Sequence, residues 1–496
     1  MKHQVYNPFL PLSEYIPDGE PHVFGDRVYL YGSHDKEGGE TFCMLDYTVW
    51  SAPVNDLTDW RCEGVSYRAE QDPDYTIRRY MYAPDVVQGS DGRYYLYYCM
   101  SGDMGQGGYF GPISVAVGDS PAGPFAYLGF VRNPDGSPMQ KYVPFDPAVI
   151  NDEGTIRLYY GTQYDYEEQD GFGEEQLAEE VKMFGKTAGE ITGTPESVMG
   201  ANMLVLEDDM LTVKQEAVRI IPYRVKGTGF EAHPFFEGAS IRKIGSKYYF
   251  IYSSQQNCEL CYATSDYPDR DFTFGGVIVN TGDVGIGGRQ GHQRLNLTGT
   301  THGSIEEIDG KWYVFYHRLT HKSDYSRQAC AEQIEILPDG SIPQVEVTSC
   351  GLNGGALAAE GTYPAAIACN ITNGSMPHCP NATFPVLLPH VTHAENANGE
   401  TERFIDQIGE RTFIGFKYFA FEGGEKLTLT YRSKLDGRFF VMNENSENIG
   451  VIELAPAEDW AQASCKLDVT PGVHPLYLVF ITPGEVALKD IEFTKA

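Results

Sequence analysis

A hairpin unit that occurs five times in the first two thirds of the chain limits the possible folds more than any other feature. Each copy has a polar residue, a short strand, a tight turn and a strand rich in aromatic residues, which is the pattern of a β-hairpin. The leading polar residues follow one another at intervals of 67, 61, 91 and 65 residues, and they are Asp18, Asp85, Asp146, Glu237 and His302. Each interval has room for two further strands. The repeat therefore predicts a propeller of five four-stranded blades, with the leading residues at one end of its central channel.

The repeat ends near residue 345, and the chain is long enough, at 496 residues, for a further domain. Residues 346–379 contain glycine-rich stretches and are predicted to form a linker or the first segment of that domain. Short alternating runs between turn signals follow over 380–496 and predict a β-sandwich of jelly-roll type. The fold class is thus all-β, with residues 174–184 as the main helix candidate. Residues 1–17 are predicted to form an entry strand that closes the propeller ring.

Charge and hydropathy restrict the partners and the location of the protein. The chain carries 37 basic and 69 acidic side chains, a net charge of -32, which argues against nucleic acid or an anionic membrane as a partner. The first residues lack an apolar signal region and no stretch approaches membrane-spanning length, so we expect a cytoplasmic protein. Cys258 and Cys261 form a CxxC pair without a second pair, and we predict that they are buried free thiols.

The carboxylates among the leading residues indicate hydrolytic chemistry. Glu237 follows two phenylalanines, and an acid in apolar surroundings tends to keep its proton, as a general acid must. Inverting glycoside hydrolysis needs such an acid and a carboxylate base roughly 6.5 to 9.5 Å apart, on opposite faces of the sugar. Carboxylates on blades that face each other across a channel meet this requirement. The alternative is that acidic residues only cap turns at the starts of strands.

Together with the segment Met81-Tyr-Ala-Pro-Asp85, the leading residues resemble glycoside hydrolase family 43 over residues 5 to about 345. The resemblance implies that Asp18 is the general base, Asp146 the modulator of the acid's pKa and Glu237 the general acid. The family usually has Asp-Pro at the base, whereas this chain has Asp18-Gly-Glu20-Pro, so Glu20 is the alternative base. Asp18 is preferred because it keeps the spacing to the turn at Gly25. The carboxyl-terminal domain is similar to a family 6 carbohydrate-binding module.

The remaining site candidates are predicted to contact substrate or an ion. The substrate-binding candidates are Tyr82, Asp85, His292 and Arg327. A structural role is the alternative for Asp85, and a structural ion pair for Arg327. His292 follows a glycine-rich loop, residues 282–291, whose alternative role is a plain surface connection. For His302 the resemblance implies a nearby cation in the channel, commonly calcium, although a lone histidine is a weak signal for an ion that prefers oxygen ligands. No organic cofactor is expected.

These observations predict an exo-acting, inverting α-L-arabinofuranosidase that removes arabinose from arabinoxylo-oligosaccharides. The alternatives with the same fold are a β-D-xylosidase and an arabinan-degrading enzyme, since the resemblance implies arabinose- or xylose-containing substrates. The alternative from another class is a non-catalytic sugar-binding propeller. The sandwich carries one tryptophan, Trp460, and because stacking on sugars usually needs more than one aromatic, we predict that it supports the propeller rather than binding polysaccharide. The oligomeric state is left open.

Overall fold

The computed structural model describes residues 4–102, 109, 111–163, 174–193, 196–378 and 387–495. They form a five-bladed β-propeller followed by a β-sandwich, which confirms the predicted fold class. Two helices are described, α1 (Glu174–Phe184), as predicted, and α2 (Ala188–Ile191). No helix in these ranges has the length and apolar character that crossing a membrane requires. The predicted start of the sandwich, between residues 379 and 380, lies outside the described residues.

Four blades each contain four antiparallel strands in chain order. The first blade consists of β1 (Glu20–Phe24), β2 (Arg27–Tyr31), β3 (Tyr47–Pro53) and β4 (Arg61–Tyr67). The second consists of β5 (Tyr80–Gln88), β6 (Tyr94–Ser101), β7 (Ser114–Gly118) and β8 (Ala126–Phe130). The third consists of β9 (Ala148–Asp152), β10 (Thr155–Tyr160), β11 (Asn202–Leu206) and β12 (Val213–Arg219). The fourth consists of β13 (Phe235–Ile244), β14 (Lys247–Ser254), β15 (Glu259–Ser265) and β16 (Thr273–Asn280).

The fifth blade has three strands, so the prediction of four strands in every blade is wrong here. These strands are β17 (Ser304–Ile308), β18 (Lys311–Leu319) and β19 (Arg327–Ile334). The amino-terminal segment lies against β19, where the Phe9 amide donates to the Ala329 carbonyl at 3.2 Å and Asn7 Nδ2 donates to the Ala331 carbonyl at 3.0 Å. Pro8 and Pro11 in this segment lack the N–H groups that a regular ladder needs. The segment therefore completes the blade as irregular chain.

The five predicted hairpins follow directly from glycines in their turns. Each turn contains a glycine with φ between 62° and 90°, a conformation that disfavours any side chain; these are Gly25, Gly92, Gly154, Gly245 and Gly310. The strands on either side place apolar and aromatic side chains between neighbouring blades. The ring closes where Gly19, just before β1, forms a parallel bridge with Gly303, just before β17. The leading residues Asp18 and His302 are thereby placed on adjacent segments.

The carboxyl-terminal part is a sandwich of two six-stranded sheets. One sheet contains β20 (Leu357–Ala358), β22 (Asn370–Thr372), β25 (Thr412–Phe421), β27 (Gly437–Met442), β28 (Asn448–Leu454) and β30 (Gly472–Phe480). The other contains β21 (Gly361–Pro364), β23 (His390–Glu395), β24 (Thr401–Ile408), β26 (Glu425–Ser433), β29 (Ala457–Lys466) and β31 (Val486–Lys495). Their facing side chains form one apolar core. Residues 357–372, within the predicted linker interval, thus supply three strands.

Buried polar contacts join the sandwich to the propeller. Lys417 Nζ lies 3.1 Å from Asp283 Oδ2 and 2.8 Å from Glu346 Oε2, and Arg318 Nη1 donates to the Cys369 carbonyl at 2.8 Å. The described cysteines number nine and all are free thiols, six of them buried, including Cys258 and Cys261 as predicted. Over the described residues, the interface between the propeller and the sandwich therefore contains buried polar contacts and no disulfide.

Candidate active site

A pocket of about 350 Å³ opens at the mouth of the propeller channel. Four of the five leading residues line it, namely Asp18, Asp146, Glu237 and His302. Aromatic side chains line part of its wall, including Phe42, Tyr82, Tyr109 and Phe145. Acidic side chains from blades one, three and four therefore converge on one space beside aromatic rings. Tyr82 lies where the sequence predicted a substrate contact.

The backbone at these positions is held in unusual conformations. Asp18 and Asp146, which precede the inner strands β1 and β9, have φ values of 59° and 46°, in the left-handed region that few side chains occupy. Glu237 lies between two register irregularities in the pairing of β13 with β14, and the next residue, Gly238, has φ 73°. Such bulges redirect a side chain out of the regular alternation. Outliers of this kind cluster at functional sites.

Asp18 is a carboxylate whose ionised form is stabilised by its surroundings. Arg327 Nη1 donates to both of its carboxylate oxygens, at 2.9 and 3.2 Å. Burial acts to raise the pKa of Asp18, but the positive charge of Arg327 outweighs it, so this pKa is lowered. Asp18 is therefore ionised at neutral pH and can accept a proton from water.

Arg327 lines the pocket, and the contacts of its guanidinium favour the ion-pair alternative over the predicted substrate contact. Its Nε and Nη2 donate to the two oxygens of Asp35 at 2.8 and 2.9 Å, and Nη2 also contacts Cys43 Sγ at 3.4 Å. Together with the contacts from Nη1 to Asp18, each guanidinium nitrogen thus has a carboxylate acceptor. Arg327 is thus a buried clamp between Asp18 and Asp35, which is the ion-pair alternative.

Glu237 and Asp146 have the opposite electrostatic character. Burial raises the pKa of Glu237 well above its usual value, and the charges of Asp146 and Asp18 raise it further. Burial and Asp18 likewise raise the pKa of Asp146. The Gly238 amide donates to Asp146 Oδ2 at 3.1 Å, which fixes Asp146 beside the peptide that follows Glu237. The pocket therefore pairs an ionised carboxylate with an acid that keeps its proton.

Two buried histidines, His302 and His317, lie close to these carboxylates. His317 Nδ1 accepts from the Asp18 amide at 3.1 Å and His317 Nε2 donates to the Thr300 carbonyl at 2.9 Å, so the ring is neutral. Burial lowers the pKa of His317 to about 3. His302 Nδ1 lies 3.9 Å from both Asp18 Oδ1 and Asp146 Oδ2, and its Nε2 is buried without a hydrogen-bond partner. His302 therefore contributes a buried nitrogen that its surroundings leave unsatisfied.

Glu20, the alternative base, lies outside the pocket lining. Arg242 Nη2 donates to Glu20 Oε2 at 3.0 Å, and burial raises the pKa of Glu20 to about 7 although the charge of Arg242 opposes this. Its other oxygen, Oε1, is buried and has no hydrogen-bond partner. The geometry therefore favours Asp18 over Glu20 as the residue that faces substrate.

Two other predicted substrate contacts, Asp85 and His292, are not among the described residues that line the pocket. Asp85 is fully buried beneath the pocket, where its oxygens accept from the amides of Val86 and Val149 at 2.7 Å each and contact His22 Nε2 at 2.6 Å. Asp85 joins blades one, two and three and does not line the pocket. These contacts fit the structural role that was its alternative. His292 is exposed and is not among the lining residues either, because the loop before it folds back on itself through Arg289, whose Nη1 donates to the Asp283 carbonyl at 2.8 Å.

Groups that could hold a metal ion occur at three places among the described residues. One is in the channel and consists of Glu20, His22 and Asp85; the others consist of Glu37, His321 and His393, and of His233, Glu259 and Cys261. His302 belongs to none of them. It lies beside the channel group, because the bridge between Gly19 and Gly303 joins the segments that carry Glu20 and His302.

Sequence reasoning missed several residues of the site. Asp35, Phe42 and Tyr109 lie in connections that the hairpin repeat does not cover, so no positional signal marked them. His317 was detectable, since a histidine inside the aromatic strand of the fifth unit is an unusual polar residue there. His378 was not, because it reaches the pocket from the segment between β22 and β23 of the sandwich, where the Thr298–His378 bridge holds it.

The single tryptophan of the sandwich is partly covered. The Arg432 guanidinium carbon lies 4.0 Å from the Trp460 ring centroid, and Trp460 Nε1 donates to Glu402 Oε2 at 2.8 Å. Phe404 packs against the same ring with a centroid separation of 5.4 Å. A sugar ring would have to displace the arginine to stack on that face. The structural role of the sandwich stays a prediction.

Comparison with known proteins agrees with this geometry. The family model for glycosyl hydrolases family 43 matches residues 6–342. A xylosidase/arabinosidase from Thermoclostridium stercorarium is 40% identical over 502 residues, which cover 99% of each chain. Xylosidase/arabinosidase 43A from Humicola insolens is 30% identical over 66% of this chain and 96% of its own. Among solved structures, a GH43_1 enzyme from Xanthomonas citri in complex with xylotriose is 25% identical and has a TM-score of 0.52, over 70% of this chain and 94% of that one.

Proposed function

The chain belongs to glycosyl hydrolases family 43, and from this premise we propose that it is an exo-acting, inverting α-L-arabinofuranosidase that removes arabinose from arabinoxylo-oligosaccharides. Its membership and its full-length relative make it a glycoside hydrolase of the xylosidase/arabinosidase group. One observation carries the mechanism: a single pocket contains Asp18, whose pKa is lowered, and Glu237, whose pKa is raised. A pocket rather than an open cleft supports removal of terminal sugars.

In the proposed reaction, Glu237 donates its proton to the glycosidic oxygen as the bond from that oxygen to the anomeric carbon breaks. Asp18 accepts a proton from the water that attacks the opposite face, so the new carbon–oxygen bond forms with inverted configuration. The nearby charge of Asp146 keeps the pKa of Glu237 high, and Asp146 itself takes no part in the proton transfers. Arg327 keeps Asp18 ionised and fixes its orientation.

A hydrated calcium ion in the channel belongs to the same proposal. His302 Nε2 and Glu20 Oε1 are both buried and find no hydrogen-bond partner among the described residues, and they lie on segments that the bridge between Gly19 and Gly303 joins. A carboxylate oxygen and a neutral imidazole, together with waters, fit a hard divalent cation. Bound there, calcium would supply positive charge beneath the carboxylates. We expect the melting temperature of the chelator-treated protein to rise when calcium is added, and this rise to vanish in His302→Ala.

The first experiment measures release from 4-nitrophenyl α-L-arabinofuranoside and 4-nitrophenyl β-D-xylopyranoside. We expect the arabinofuranoside to be the better substrate, and Glu237→Gln to lose turnover of arabinoxylo-oligosaccharides by about 10²- to 10⁴-fold. Preference for the xyloside would favour the β-D-xylosidase alternative, with the same catalytic residues. Unimpaired Glu237→Gln, or no cleavage by the wild type, would favour the non-catalytic sugar-binding alternative.

The identity of the base is tested in parallel. Asp18→Asn is expected to abolish turnover, whereas Glu20→Gln should retain most of it, since Arg242 keeps its second partner, Glu306, at 2.9 Å. Proton NMR of the sugar at the earliest times of hydrolysis reads out the anomer that is released. The inverted anomer supports the assignment, and the retained anomer contradicts it.

A further inference from the structure

Three potential metal ligands from distant parts of the chain meet between the propeller and the sandwich. Glu37 lies in the connection from β2 to β3, His321 in the connection from β18 to β19, and His393 on β23 of the sandwich. One ligand atom from each lies within 4.8 Å of the other two. His393 Nδ1 is 3.4 Å from His321 Nε2 and 3.4 Å from Glu37 Oε1. We call this group the seam cluster.

The spacing in the seam cluster matches the ligand shell of a small tetrahedral cation. Zinc binds imidazole nitrogen and carboxylate oxygen at 2.0 to 2.2 Å, which places neighbouring tetrahedral ligands roughly 3.3 Å apart. Two imidazoles and one carboxylate are also the donor types that borderline divalent metals prefer. From this geometry we propose that the seam cluster binds one zinc-like divalent cation through Glu37, His321 and His393, with water as the fourth ligand. This site is independent of the catalytic proposal.

The surroundings of His321 orient it for this role. Its Nδ1 lies 3.3 Å from the Tyr15 hydroxyl and 3.2 Å from the Thr320 hydroxyl, so Nδ1 can donate to oxygen while Nε2 presents its lone pair to the cluster. Such second-shell partners fix the tautomer and the ring orientation of metal-bound histidines.

Arg403 limits the affinity that we expect. Its Nη2 and Nε donate to the two oxygens of Glu37 at 2.8 and 3.1 Å, so a cation would share that carboxylate with a guanidinium. The like charge of Arg403 disfavours a metal, and the described part of the chain supplies three ligands at this place. We therefore expect a dissociation constant on the order of micromolar, weaker than that of a closed structural zinc site.

The location gives the site a structural consequence. The loop that carries Glu37 also carries Asp35, which clamps Arg327, and Phe42, which lines the pocket. Val391 on β23 already donates its amide to the Thr320 carbonyl at 3.1 Å. A cation held by all three ligands would tie this loop, the fifth blade and the sandwich to one another. Binding should therefore raise the melting temperature of the whole chain.

The test uses the full chain after treatment with chelator and removal of that chelator. Titration calorimetry with zinc chloride is expected to detect a micromolar site that weakens at least tenfold in His393→Gln and in Glu37→Gln. His390→Gln is the matched control, because His390 lies on the same strand and its Nδ1 contacts the Leu388 carbonyl at 2.7 Å, outside the cluster. Cobalt substitution adds a second readout, the visible absorption of tetrahedral Co²⁺, which His393→Gln should abolish.

Two outcomes would overturn the proposal. One is the absence of micromolar zinc binding by the wild type, which would leave the cluster as a metal-free ion-pair network around Arg403. The other is binding that persists in both cluster variants but disappears in His233→Gln, which would assign the metal to the group of His233, Glu259 and Cys261. Circular dichroism of each metal-free variant checks that it is folded, and His321→Gln replaces any variant that is not.

Discussion

At the scale of single residues, Arg327 decides the protonation of the base. It donates to both oxygens of Asp18, and its charge is what holds the pKa of that carboxyl below the usual value against burial. In Arg327→Met burial acts unopposed, so the pKa of Asp18 should rise. Because the base works only when ionised, the acidic limb of the profile of kcat/KM against pH should move to higher pH. Activity near pH 5 should therefore fall more than activity near pH 7.

Arg327→Lys separates charge from geometry in this prediction. A lysine keeps the positive charge but cannot bind Asp18 and Asp35 as a fork. In Arg327→Lys we expect the acidic limb of the profile of kcat/KM against pH to return most of the way to its wild-type position, while kcat stays low. A uniform loss of activity in Arg327→Met, with an unmoved acidic limb, would mean that Arg327 serves only the packing of the loop.

At the scale of the elements, the bulge in β13 is what directs Glu237 into the pocket. Gly238 has φ 73°, its amide donates to Asp146, and a Cβ added there would lie 3.1 Å from Cγ of His302. Gly238→Ala should cost roughly 1 to 2 kcal/mol of stability through its left-handed backbone alone. It should also lower kcat, because the acid and its modulator shift together. Thermal unfolding and kcat on an unactivated substrate measure the two effects.

Gly245→Ala is the matched control for Gly238→Ala. Gly245 also has positive φ, at the hairpin turn of the same blade, but has open space where a Cβ would be added. It should therefore show a similar loss of stability without the loss of kcat. Equal kcat losses in both variants would contradict a special role for the bulge.

The sequence allowed the hairpins to be predicted because their signal is local. A glycine turn between a short strand and an aromatic strand determines each hairpin within about twenty residues, and all five appear in the structure. The prediction of a fourth strand in the fifth blade was wrong. The segment that completes this blade is held by contacts between residues 7–9 and β19, which are more than 300 residues apart in the sequence. Asp35 and His378 were missed for the same reason. Their contribution to the site exists only through tertiary contacts.

The segment between β22 and β23 brings a sandwich residue into the pocket, and this arrangement is testable. His378 lies 3.2 Å from the Thr298 hydroxyl through Nδ1, and burial lowers its pKa to about 4, so it is a neutral donor or acceptor at pH 7. We expect His378 to form one hydrogen bond with the substrate. Its loss in His378→Ala should raise KM about 2- to 10-fold with little change in kcat. Steady-state kinetics on arabinoxylo-oligosaccharides measure both constants. An unchanged KM would mean that His378 only packs beside the substrate.

At the scale of the whole molecule, a buried charge cluster makes the propeller and the sandwich one folding unit. Lys417 of the sandwich contacts Asp283 of the propeller, and Asp283 also accepts from Asn370 Nδ2 at 2.9 Å and from the Val347 amide at 2.8 Å. The side chains of Lys417 and Asp283 are 4% and 1% exposed. Such a pair couples the two domains strongly, because neither charge can be solvated if the other is removed.

Lys417→Met should therefore destabilise the whole chain by about 3 to 5 kcal/mol, since it leaves Asp283 buried without its cation. Urea unfolding followed by fluorescence, with activity measured on the same samples, should give one transition in which both signals change together. Lys434→Met is the control, because Lys434 pairs with the solvent-exposed Glu485 of the sandwich at 3.8 Å, and it should leave the transition where it is. If activity in Lys417→Met survived at urea concentrations that unfold the sandwich, the domains would be independent, and His378 could not be a fixed part of the pocket.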